Sequence, residues 1–273
     1  MAQIFGTPQN DTLFDSPDND TLYGGGGDDH LYGAVGDDLL LGDIGNDVLE
    51  DAKGNDTLDG GDGRDLLLLW AAQYSSPVVN ATGADFAFGG AGDDTLVVRG
   101  VGLAHTLYGG GGGDFFSFGS ASGALAPQDL VTLQVADFTL ADDDRVLFSS
   151  ALPRSWRGEA PAGFSATPGQ ALPGGGLPGT EVQVWTLQDG GQAVLYADLN
   201  GNASVDALDL RVAFGGAVVL TRAAFGPGSF ETLQLSPGDD LFVATPFDDL
   251  IFGNGGNDRI DGGDGIDIVT TAA

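Results

Sequence analysis

The feature that most constrains this chain is an aspartate that recurs every nine residues from near the amino terminus. Seven of these aspartates follow one another without a change of spacing: Asp11, Asp20, Asp29, Asp38, Asp47, Asp56 and Asp65. A leucine stands two residues after each of them. Such a period indicates a repeat architecture, because each unit is too short to bury its apolar residue alone and must stack on its neighbours.

Two later blocks carry the same spacing. In the middle block Asp94 follows Asp85 by nine residues and Asp114 follows His105 by nine, with a two-residue insertion between the pairs. In the last block four aspartates are again nine residues apart: Asp240, Asp249, Asp258 and Asp267. The pattern predicts four segments, which are an amino-terminal roll at 1–72, a second, irregular block at 80–122, a non-repetitive β segment at 130–225 and a carboxy-terminal block at 226–273.

The composition favours turns that gather carboxylates. The chain has 40 acidic and 9 basic residues, for a formal net charge of -31, and nearly all of the acids are Asp. Asp and the 47 glycines favour tight turns over helices. This charge argues against nucleic acid and anionic membranes as partners, since both need a basic surface. A bound cation is the expected means of neutralising it.

Several other classes of protein do not fit the sequence. The chain has no cysteine, which excludes disulfides and cysteine-ligated zinc. Residues 1–13 contain neither a basic nor an apolar region, so no Sec signal peptide is expected. No apolar run approaches the ~20 residues of a membrane span. The motifs HExxH, GxSxG and the P-loop do not occur, so the sequence predicts that the protein is not an enzyme.

Each nine-residue unit can be divided into a turn and a short strand. Six residues form the turn, in which glycines allow positive φ angles and let backbone carbonyls point to a common centre. The aspartate adds a hard oxygen ligand, and the next three residues form a strand with its middle apolar residue inward. Two units form one coil of a flattened solenoid, which places Asp29, Asp47 and Asp65 on one edge. Asp20, Asp38 and Asp56 then line the other edge.

The unit GGxGxDxUx, seen here as GGGGDDHLY, GDIGNDVLE, GNGGNDRID and GGDGIDIVT, resembles the repeats-in-toxin (RTX, hemolysin-type) family. The resemblance implies an all-β fold, a parallel β-roll built as a calcium-bound nonapeptide solenoid, with an inserted β-rich segment. It also implies that Ca²⁺ is bound by the aspartate and by the carbonyls of the first, second and fourth residues of each turn. A metal-free Gly/Asp-rich linker is the alternative interpretation.

The implied metal ligands fall in all three blocks. They are Asp20, Gly24, Gly25, Gly27, Asp29, Gly33, Ala34, Gly36, Asp38, Gly42, Asp43, Gly45, Asp47, Asp51, Gly54, Asp56, Gly60, Gly61, Gly63, Asp65, Gly89, Gly90, Gly92, Asp94, Asp114, Asp240, Asp249, Gly253, Gly256, Asp258, Gly262, Gly265 and Asp267. Stacked turns in the first and last blocks predict on the order of seven ions. The first two repeats lack the fourth-position glycine and are expected to form a degenerate cap. His105 takes an aspartate position and should mark a lost ligand of little importance.

The segment between the blocks is predicted to be β-rich. Residues 131–140 and 182–196 are typical of strands, the second as a hairpin that turns near Gly190, and residues 153–178 are expected to form a long loop. Residues 195–202 and 219–225 resemble the non-catalytic C-terminal region of serralysin-type secreted proteases. The apolar residues on both faces of the strands at 39–41 and 66–70 predict that another part of the chain covers the roll.

The favoured function is that of a secreted, noncatalytic bacterial calcium-binding protein. The family resemblance implies export by a type I secretion apparatus, with an uncleaved signal at the extreme C-terminus, where residues 267–273 form an acidic and apolar tail. The chain would stay unfolded in the calcium-poor cytosol and fold outside. Two alternatives stay open: an extracellular enzyme with a site in 130–225, and an adhesive or surface-layer protein, associated with the cell surface.

Overall fold

The computed structural model describes most of the amino-terminal half and separate pieces of the remainder. The described residues are 1–70, 83–99, 104–119, 132–149, 154–161, 164, 168–172, 182–189, 191–198, 204–205, 209–216, 218–220, 224–225, 233–234, 241–243, 250–252, 259–261 and 268–270. Within them the chain forms strands and turns and has no α-helix. The low helix content follows from the abundance of Gly and Asp.

The strands are short and evenly spaced in the repeat blocks. They are β1 (Gln3–Phe5), β2 (Thr12–Phe14), β3 (Thr21–Gly26), β4 (His30–Tyr32), β5 (Leu39–Ile44), β6 (Val48–Asp51), β7 (Thr57–Asp62), β8 (Leu66–Trp70), β9 (Phe86–Ala91), β10 (Thr95–Arg99), β11 (Thr106–Gly111), β12 (Phe115–Gly119), β13 (Thr132–Val135), β14 (Arg145–Ser149), β15 (Arg154–Glu159), β16 (Val182–Asp189), β17 (Gln192–Asp198), β18 (Leu210–Phe214), β19 (Leu233–Gln234), β20 (Leu241–Val243), β21 (Leu250–Phe252), β22 (Arg259–Asp261) and β23 (Ile268–Thr270).

The strands of the first two blocks form two parallel sheets. The odd-numbered strands from β1 to β13 pair side by side in the first sheet, and the even-numbered strands from β2 to β14 pair in the second sheet. Thr21 aligns with Leu39 and Leu39 with Thr57, so each strand pairs with the strand two repeats away. This pairing confirms the predicted coil of two nonapeptides and the predicted parallel β-roll.

The core of the roll is a column of side chains from the middle of each strand. Six leucines two residues after the repeat aspartates are completely buried: Leu22, Leu31, Leu40, Leu49, Leu58 and Leu67. Leu96, Leu107 and Phe116 continue the column in the middle block. Each buried leucine stabilises the fold by about 1.5–3 kcal/mol relative to exposure. The alternation of inward and outward side chains is the period of two that strands impose.

Coils of unequal length keep the same alignment. The backbone N–H of Asp56 bonds to Asp85, which lies 29 residues later, whereas Asp94 bonds to Asp114, which lies 20 residues later. Strands β7 and β9 still pair residue for residue, with Thr57 opposite Phe86. The additional residues therefore lie between strands, and the stacking of the turns is preserved.

Residues 132–149 add another coil that the nine-residue period did not predict. β13 pairs with β11 in the first sheet, and β14 pairs with β12 in the second sheet. Beyond β13 the first sheet continues through β18, β17, β16 and β15. The roll and part of the non-repetitive segment thus share one sheet.

The structure of the non-repetitive segment agrees in part with the prediction from the sequence. β16 and β17 form the predicted antiparallel hairpin, with Asp189 opposite Gln192. The long loop predicted over 153–178 is wrong at its start, because Arg154–Glu159 is β15, which pairs with β16. Neighbouring Pro and Gly residues suggested a loop, whereas the available edge of β16 favours a strand.

The outward leucines of the roll are half-buried. Leu39, Leu41, Leu66 and Leu68 have intermediate exposure. In the described part of the chain, the strands that contact β5 and β8 extensively all belong to the roll. The predicted cover from another part of the chain stays a prediction.

The C-terminal block repeats the strand pairing of the first roll. β19, β21 and β23 pair in one parallel sheet, and β20 pairs with β22 in another. Leu241 aligns with Arg259 and Leu250 with Ile268, again two repeats apart. The turns of this block lie outside the described residues.

Candidate calcium-binding site

The first edge of the roll is formed by the turns that run from the first sheet to the second. Its aspartates are Asp11, Asp29, Asp47, Asp65, Asp94, Asp114 and Asp144. The backbone N–H of Asp29 donates to Oδ1 of Asp47, and that of Asp47 donates to Oδ1 of Asp65, both at 2.7 Å. The same bond links the later members at 2.8 to 3.0 Å. With the bond from Asp11 to Asp29, these bonds fix the carboxylates from Asp29 to Asp144 in one orientation.

In the interior of this row, the second carboxylate oxygen, Oδ2, lacks the hydrogen bond that Oδ1 accepts. In the described part of the chain, Oδ2 has no hydrogen-bond donor at Asp29, Asp47, Asp65, Asp94 and Asp114. Each of these five residues is at most 2% exposed. Burial of an unpaired charge is costly, so an ionised carboxylate here needs a positive partner. A cation beside Oδ2 meets that need.

The first residue of each interior turn leaves space beside Oδ2 because it is glycine. A methyl group added at Gly42 would lie 2.5 Å from Oδ2 of Asp47 and 2.4 Å from the carbonyl oxygen of Gly60 in the next coil. Gly24, Gly60 and Gly89 have the same two kinds of neighbour at 2.4–2.7 Å. Carboxylate and carbonyl oxygens from two stacked turns therefore converge, and hard oxygens of this kind are the ligands that Ca²⁺ prefers.

The fourth residue of each turn lies even closer to the neighbouring coil than the first residue does. Gly45 has a φ of 147°, and a methyl group added there would lie 1.9 Å from the carbonyl oxygen of Gly27. Only glycine combines this backbone angle with so close an approach of two coils. At the second position Asp43 adopts a φ of 73°, which Asp tolerates better than most residues.

Electrostatic repulsion opposes this row of acids in the absence of a cation. Carboxylates at the strand spacing of about 4.8 Å repel by about 3 kcal/mol per adjacent pair at an effective dielectric constant of about 20. Burial, helped by the charges of neighbouring aspartates, raises the pKa of Asp47 to about 6 and that of Asp65 and Asp114 to about 7. A divalent cation between turns offsets both effects.

The two ends of the row have their own hydrogen-bond donors. At the amino-terminal end, Oδ2 of Asp11 accepts from the backbone N–H of Thr7 at 2.6 Å and from its hydroxyl at 2.7 Å. At the other end, Oδ2 of Asp144 accepts from the N–H of Thr139 at 2.7 Å. Asp137 accepts from the N–H groups of the turn below it at 2.9 and 3.0 Å. The protein itself therefore satisfies the terminal carboxylates.

The second edge is formed by the turns that run from the second sheet to the first. Its ladder joins Asp20 to Asp38 at 2.7 Å, Asp38 to Asp56 at 2.6 Å and Asp56 to Asp85 at 2.9 Å. Within the described residues, Oδ2 of Asp38 and of Asp56 lacks a hydrogen-bond donor. This edge therefore also places buried carboxylate oxygens between stacked turns.

Asp20 begins the second edge in the way that Asp11 begins the first. Its Oδ2 accepts from the hydroxyl of Ser16 at 2.6 Å and from the N–H of Ser16 at 3.0 Å. These bonds, with Ser16 contributing most, lower the pKa of Asp20 to about 2. The first two turns therefore resemble each other, and their carboxylates have donors without a cation, as expected of a cap.

His105 takes the aspartate position of the last turn on the second edge. The residue is 2% exposed, and its Nδ1 lies 2.8 Å from Oδ2 of Asp85 and 3.2 Å from the backbone N of Asp85. The imidazole thus occupies the place of a carboxylate in the ladder. The expectation that His105→Ala barely affects calcium binding stays a prediction, whereas the burial of His105 indicates that its removal would leave a cavity beside Asp85 and lower the stability of the roll.

The two edges bring most of the predicted ligands together. The first edge holds Gly24, Gly25, Gly27, Asp29, Gly42, Asp43, Gly45, Asp47, Gly60, Gly61, Gly63, Asp65, Gly89, Gly90, Gly92, Asp94 and Asp114. The second edge holds Asp20, Gly33, Ala34, Gly36, Asp38, Asp51, Gly54 and Asp56. The remainder lie outside the described residues: Asp240, Asp249, Gly253, Gly256, Asp258, Gly262, Gly265 and Asp267.

The sequence analysis missed the last aspartate of the first edge. Asp144 lies 30 residues after Asp114, so the nine-residue period does not reach it. A signal existed, since the buried Val146 follows Asp144 by two residues, as a buried residue follows the described repeat aspartates from Asp20 to Asp114. The second-position hydroxyls of Thr7 and Ser16 were also missed, although both precede a repeat aspartate by four residues.

These features define a class of protein, a β-roll of stacked nonapeptides whose turns collect oxygen ligands for cations. The sequence model of the RTX calcium-binding nonapeptide repeat matches the chain in four copies, at residues 5–40, 41–71, 81–98 and 236–269. The chain therefore carries RTX, or hemolysin-type, calcium-binding repeats, which are typical of secreted extracellular proteins. No curated protein matches the chain. In the described ranges, no helix has the length and apolar character needed to cross a membrane.

Proposed function

We propose that the protein is a secreted calcium-binding protein whose roll folds as Ca²⁺ enters the stacked turns. The observation that carries this proposal is the set of five buried Oδ2 atoms without a donor on the described first edge. Four of them, on Asp29, Asp47, Asp65 and Asp94, lie beside a carbonyl oxygen of the next coil. The fifth, on Asp114, belongs to a turn that also begins with glycine. Asp carboxylates would balance charge, and glycine carbonyls would complete the coordination.

Four intervals on the first edge have the full arrangement of oxygens. They lie between consecutive members of the series of turns at 24–29, 42–47, 60–65, 89–94 and 109–114. The second edge would add ions where Asp38 and Asp56 present buried oxygens. The proposed ligands are those predicted from the sequence, with Asp20 reassigned to the cap because Ser16 already donates to it.

Calcium binding would couple folding to export. The repulsion along each edge disfavours the roll in a calcium-poor cytosol, whereas binding free energy becomes folding free energy where Ca²⁺ is abundant. Type I secretion of an unfolded chain with an uncleaved C-terminal signal is consistent with this coupling. Residues 267–273 supply the proposed acidic and apolar tail.

We also propose that the protein is noncatalytic. RTX repeats are generally noncatalytic elements, and the described acids of both edges are held in ladders. The matched stretches do not include residues 99–235, so the serralysin-like resemblance of residues 195–202 and 219–225 stays a prediction. An extracellular enzyme and an adhesive or surface-layer protein stay as alternatives with no observation that favours them.

Removal of calcium from the full chain tests the proposal. We expect far-ultraviolet circular dichroism in EGTA to show loss of the β spectrum, and added Ca²⁺ to restore it. Elemental analysis of the dialysed, refolded protein should then find at least four Ca²⁺ per chain, one for each first-edge interval. A full β spectrum with unchanged thermal stability in EGTA would contradict the proposal, as would a refolded protein without bound Ca²⁺.

A further inference from the structure

The non-repetitive segment has a second core on the face of its sheet that points away from the core of the roll. Leu195 belongs to the core of the roll, whereas the next residue, Tyr196, belongs to a second buried cluster. Successive side chains of a strand point to opposite faces, so the two clusters lie on opposite sides of one sheet. Asp198 lies on the same face as Tyr196, and Gln183 lies there too because it pairs with Asp198 across β16 and β17.

Three polar side chains are buried where this second face reaches the end of the hairpin of β17 and β18. They are Gln183 at 2%, Asp198 at 0% and Asp209 at 2% exposure. The last residue pair of β17 and β18 is Ala197 with Leu210, so Asp198 directly follows this pair and Asp209 directly precedes it. The hydroxyl of Tyr196 donates to Oδ2 of Asp209, which places that carboxylate on the second face as well.

The amide oxygen of Gln183 needs a positive partner. Within the described ranges, Oε1 of Gln183 is buried and accepts no hydrogen bond. Residues directly opposite in an antiparallel pair have Cβ atoms about 4.5–5.5 Å apart, so this oxygen and the carboxylate of Asp198 can reach one ion. Amide and carboxylate oxygens are hard ligands of the kind that Ca²⁺ prefers.

The charges of the two aspartates also favour a cation at this place. Asp198 and Asp209 flank the same residue pair on one face of the sheet, and both are almost completely buried. Like charges on neighbouring strands repel one another, and burial increases the cost. A divalent cation between the two carboxylates offsets the repulsion and satisfies the amide oxygen beside them.

The chain from Asp198 to Asp209 has the ligand spacing of an EF-hand loop. With Asp198 as position 1, oxygen-bearing side chains also stand at positions 3, 5, 9 and 12, of which the last is Asp209. Positions 3, 5 and 9 lie outside the described residues. Position 8 is Val205, which is completely buried and whose N–H bonds to the carbonyl of Gln170 at 2.8 Å. Strands flank this segment and Ala203 stands where an EF-hand loop has glycine, so the likeness is limited to the ligand spacing.

We propose that Gln183, Asp198 and Asp209 hold one Ca²⁺ ion at a site outside the roll. None of the three residues belongs to a nonapeptide turn, so the site does not depend on the proposed function of the repeats. The ion would join β16, β17 and the start of β18, and it would stabilise the end of the sheet that continues the roll.

A buried water molecule or a shared proton is the competing arrangement, and Gln183→Glu separates it from a cation. Glutamate keeps an oxygen at this position and adds a negative charge. Beside a cation the additional charge strengthens binding, whereas without a cation it adds a third carboxylate to a buried pair and destabilises the fold.

The test uses the full chain with Ca²⁺ as the probe. The protein is refolded in Ca²⁺ and dialysed, and bound Ca²⁺ is counted by elemental analysis, with circular dichroism to show that each variant is folded. We expect Asp198→Asn and Asp209→Asn each to lose one Ca²⁺ per chain, or to bind that ion at least about tenfold more weakly. Asp189→Asn, which removes an exposed carboxylate of the same hairpin, should keep the wild-type count.

The matched pair at position 183 gives a second measurement. Gln183→Met keeps the length of the side chain without its oxygen and should weaken the binding of this ion, whereas Gln183→Glu should tighten it at least about threefold. The change in tryptophan fluorescence during the Ca²⁺ titration that Trp185→Phe abolishes reports on this site, because Trp185 pairs with Tyr196.

The outcomes separate this site from the roll. Folded Asp198→Asn and Asp209→Asn variants with the wild-type number of ions would overturn the inference, as would a Gln183→Glu variant that is less stable than wild type in Ca²⁺. An unchanged ion count in Asp47→Asn would instead contradict the proposed function of the roll, and the site outside it would stand if Asp198→Asn still lost one ion.

Discussion

Asp11 and Asp47 occupy the same position in their turns, but their carboxylates have different surroundings. Oδ2 of Asp11 accepts two hydrogen bonds from Thr7, at 2.6 and 2.7 Å. Oδ2 of Asp47 has no donor among the described residues and is buried beside Gly42 and the carbonyl of the next coil. The end of the row is therefore satisfied by the protein, and the interior requires a partner from outside.

The contrast shows how a repeat protein can end a row of metal sites. A hydroxyl at the second position of the turn, as in Thr7 and Ser16, supplies the donor that a cation supplies elsewhere. At the first position of the terminal turn, a methyl group added to Gly6 would still meet the carbonyl oxygen of Gly24 in the next coil, so the donors of Thr7 are what distinguish the terminal turn from the interior ones. Three substitution pairs test whether this difference is real, and the largest effect is expected in the interior.

The largest effect should come from Asp47→Ala. Loss of an interior carboxylate should remove at least one Ca²⁺ per chain and weaken calcium-dependent folding about tenfold or more, which corresponds to ~1.4 kcal/mol. Asp11→Ala should leave the number of ions unchanged and lower stability by about 1–2 kcal/mol, because Thr7 loses its acceptor. Calorimetric titration with Ca²⁺ measures both. If Asp11→Ala removes as many ions as Asp47→Ala, the distinction between cap and interior is wrong.

A smaller effect is expected where the space beside the carboxylate is filled. A methyl group at position 60 would lie 2.4 Å from Oδ2 of Asp65 and 2.5 Å from the carbonyl oxygen of Gly89. Gly60→Ala should therefore destabilise the calcium-bound fold by about 1–3 kcal/mol and raise the Ca²⁺ concentration needed for folding. At Gly111 an added methyl group meets nothing within 4 Å, so Gly111→Ala should change stability by no more than about 0.5 kcal/mol.

Chemical denaturation at fixed Ca²⁺ compares these two glycine variants. Equal stability of Gly60→Ala and Gly111→Ala would show that the first position of the turn does not need to be glycine. That result would also remove the reason for placing an ion beside Oδ2 of Asp65.

The smallest effect should come from the cap of the second edge. Ser16→Ala removes a hydroxyl that donates to Asp20 at 2.6 Å, and it should lower stability by about 1 kcal/mol. Ser16→Thr keeps the hydroxyl, as Thr7 does in the preceding turn, and should restore the stability. Thermal unfolding and Ca²⁺ counting follow the two variants. A loss of Ca²⁺ in Ser16→Ala would mean that this turn is part of a metal site and not a cap.

The sequence by itself determined the roll and the register of its turns. Nine-residue spacing, with a leucine two residues after each aspartate, was sufficient to predict that Leu22 and Leu40 stack inward and that Asp29 lies above Asp47 in a row. The reason is physical: side chains alternate along each short strand, and the same turn in every nine-residue unit starts the next strand in the same way, so every copy of a residue has the same environment.

Only the tertiary structure decided which carboxylates need a cation. Asp11, Asp47 and Asp144 have the same local role, but their Oδ2 atoms differ because donors come from residues that the period does not mark, such as Thr139. The same holds for Asp51, whose carboxylate approaches Asp85 across an insertion that hides their proximity in the sequence. Repetition fixes which residues stack, whereas burial and hydrogen bonding depend on what the neighbouring coil provides.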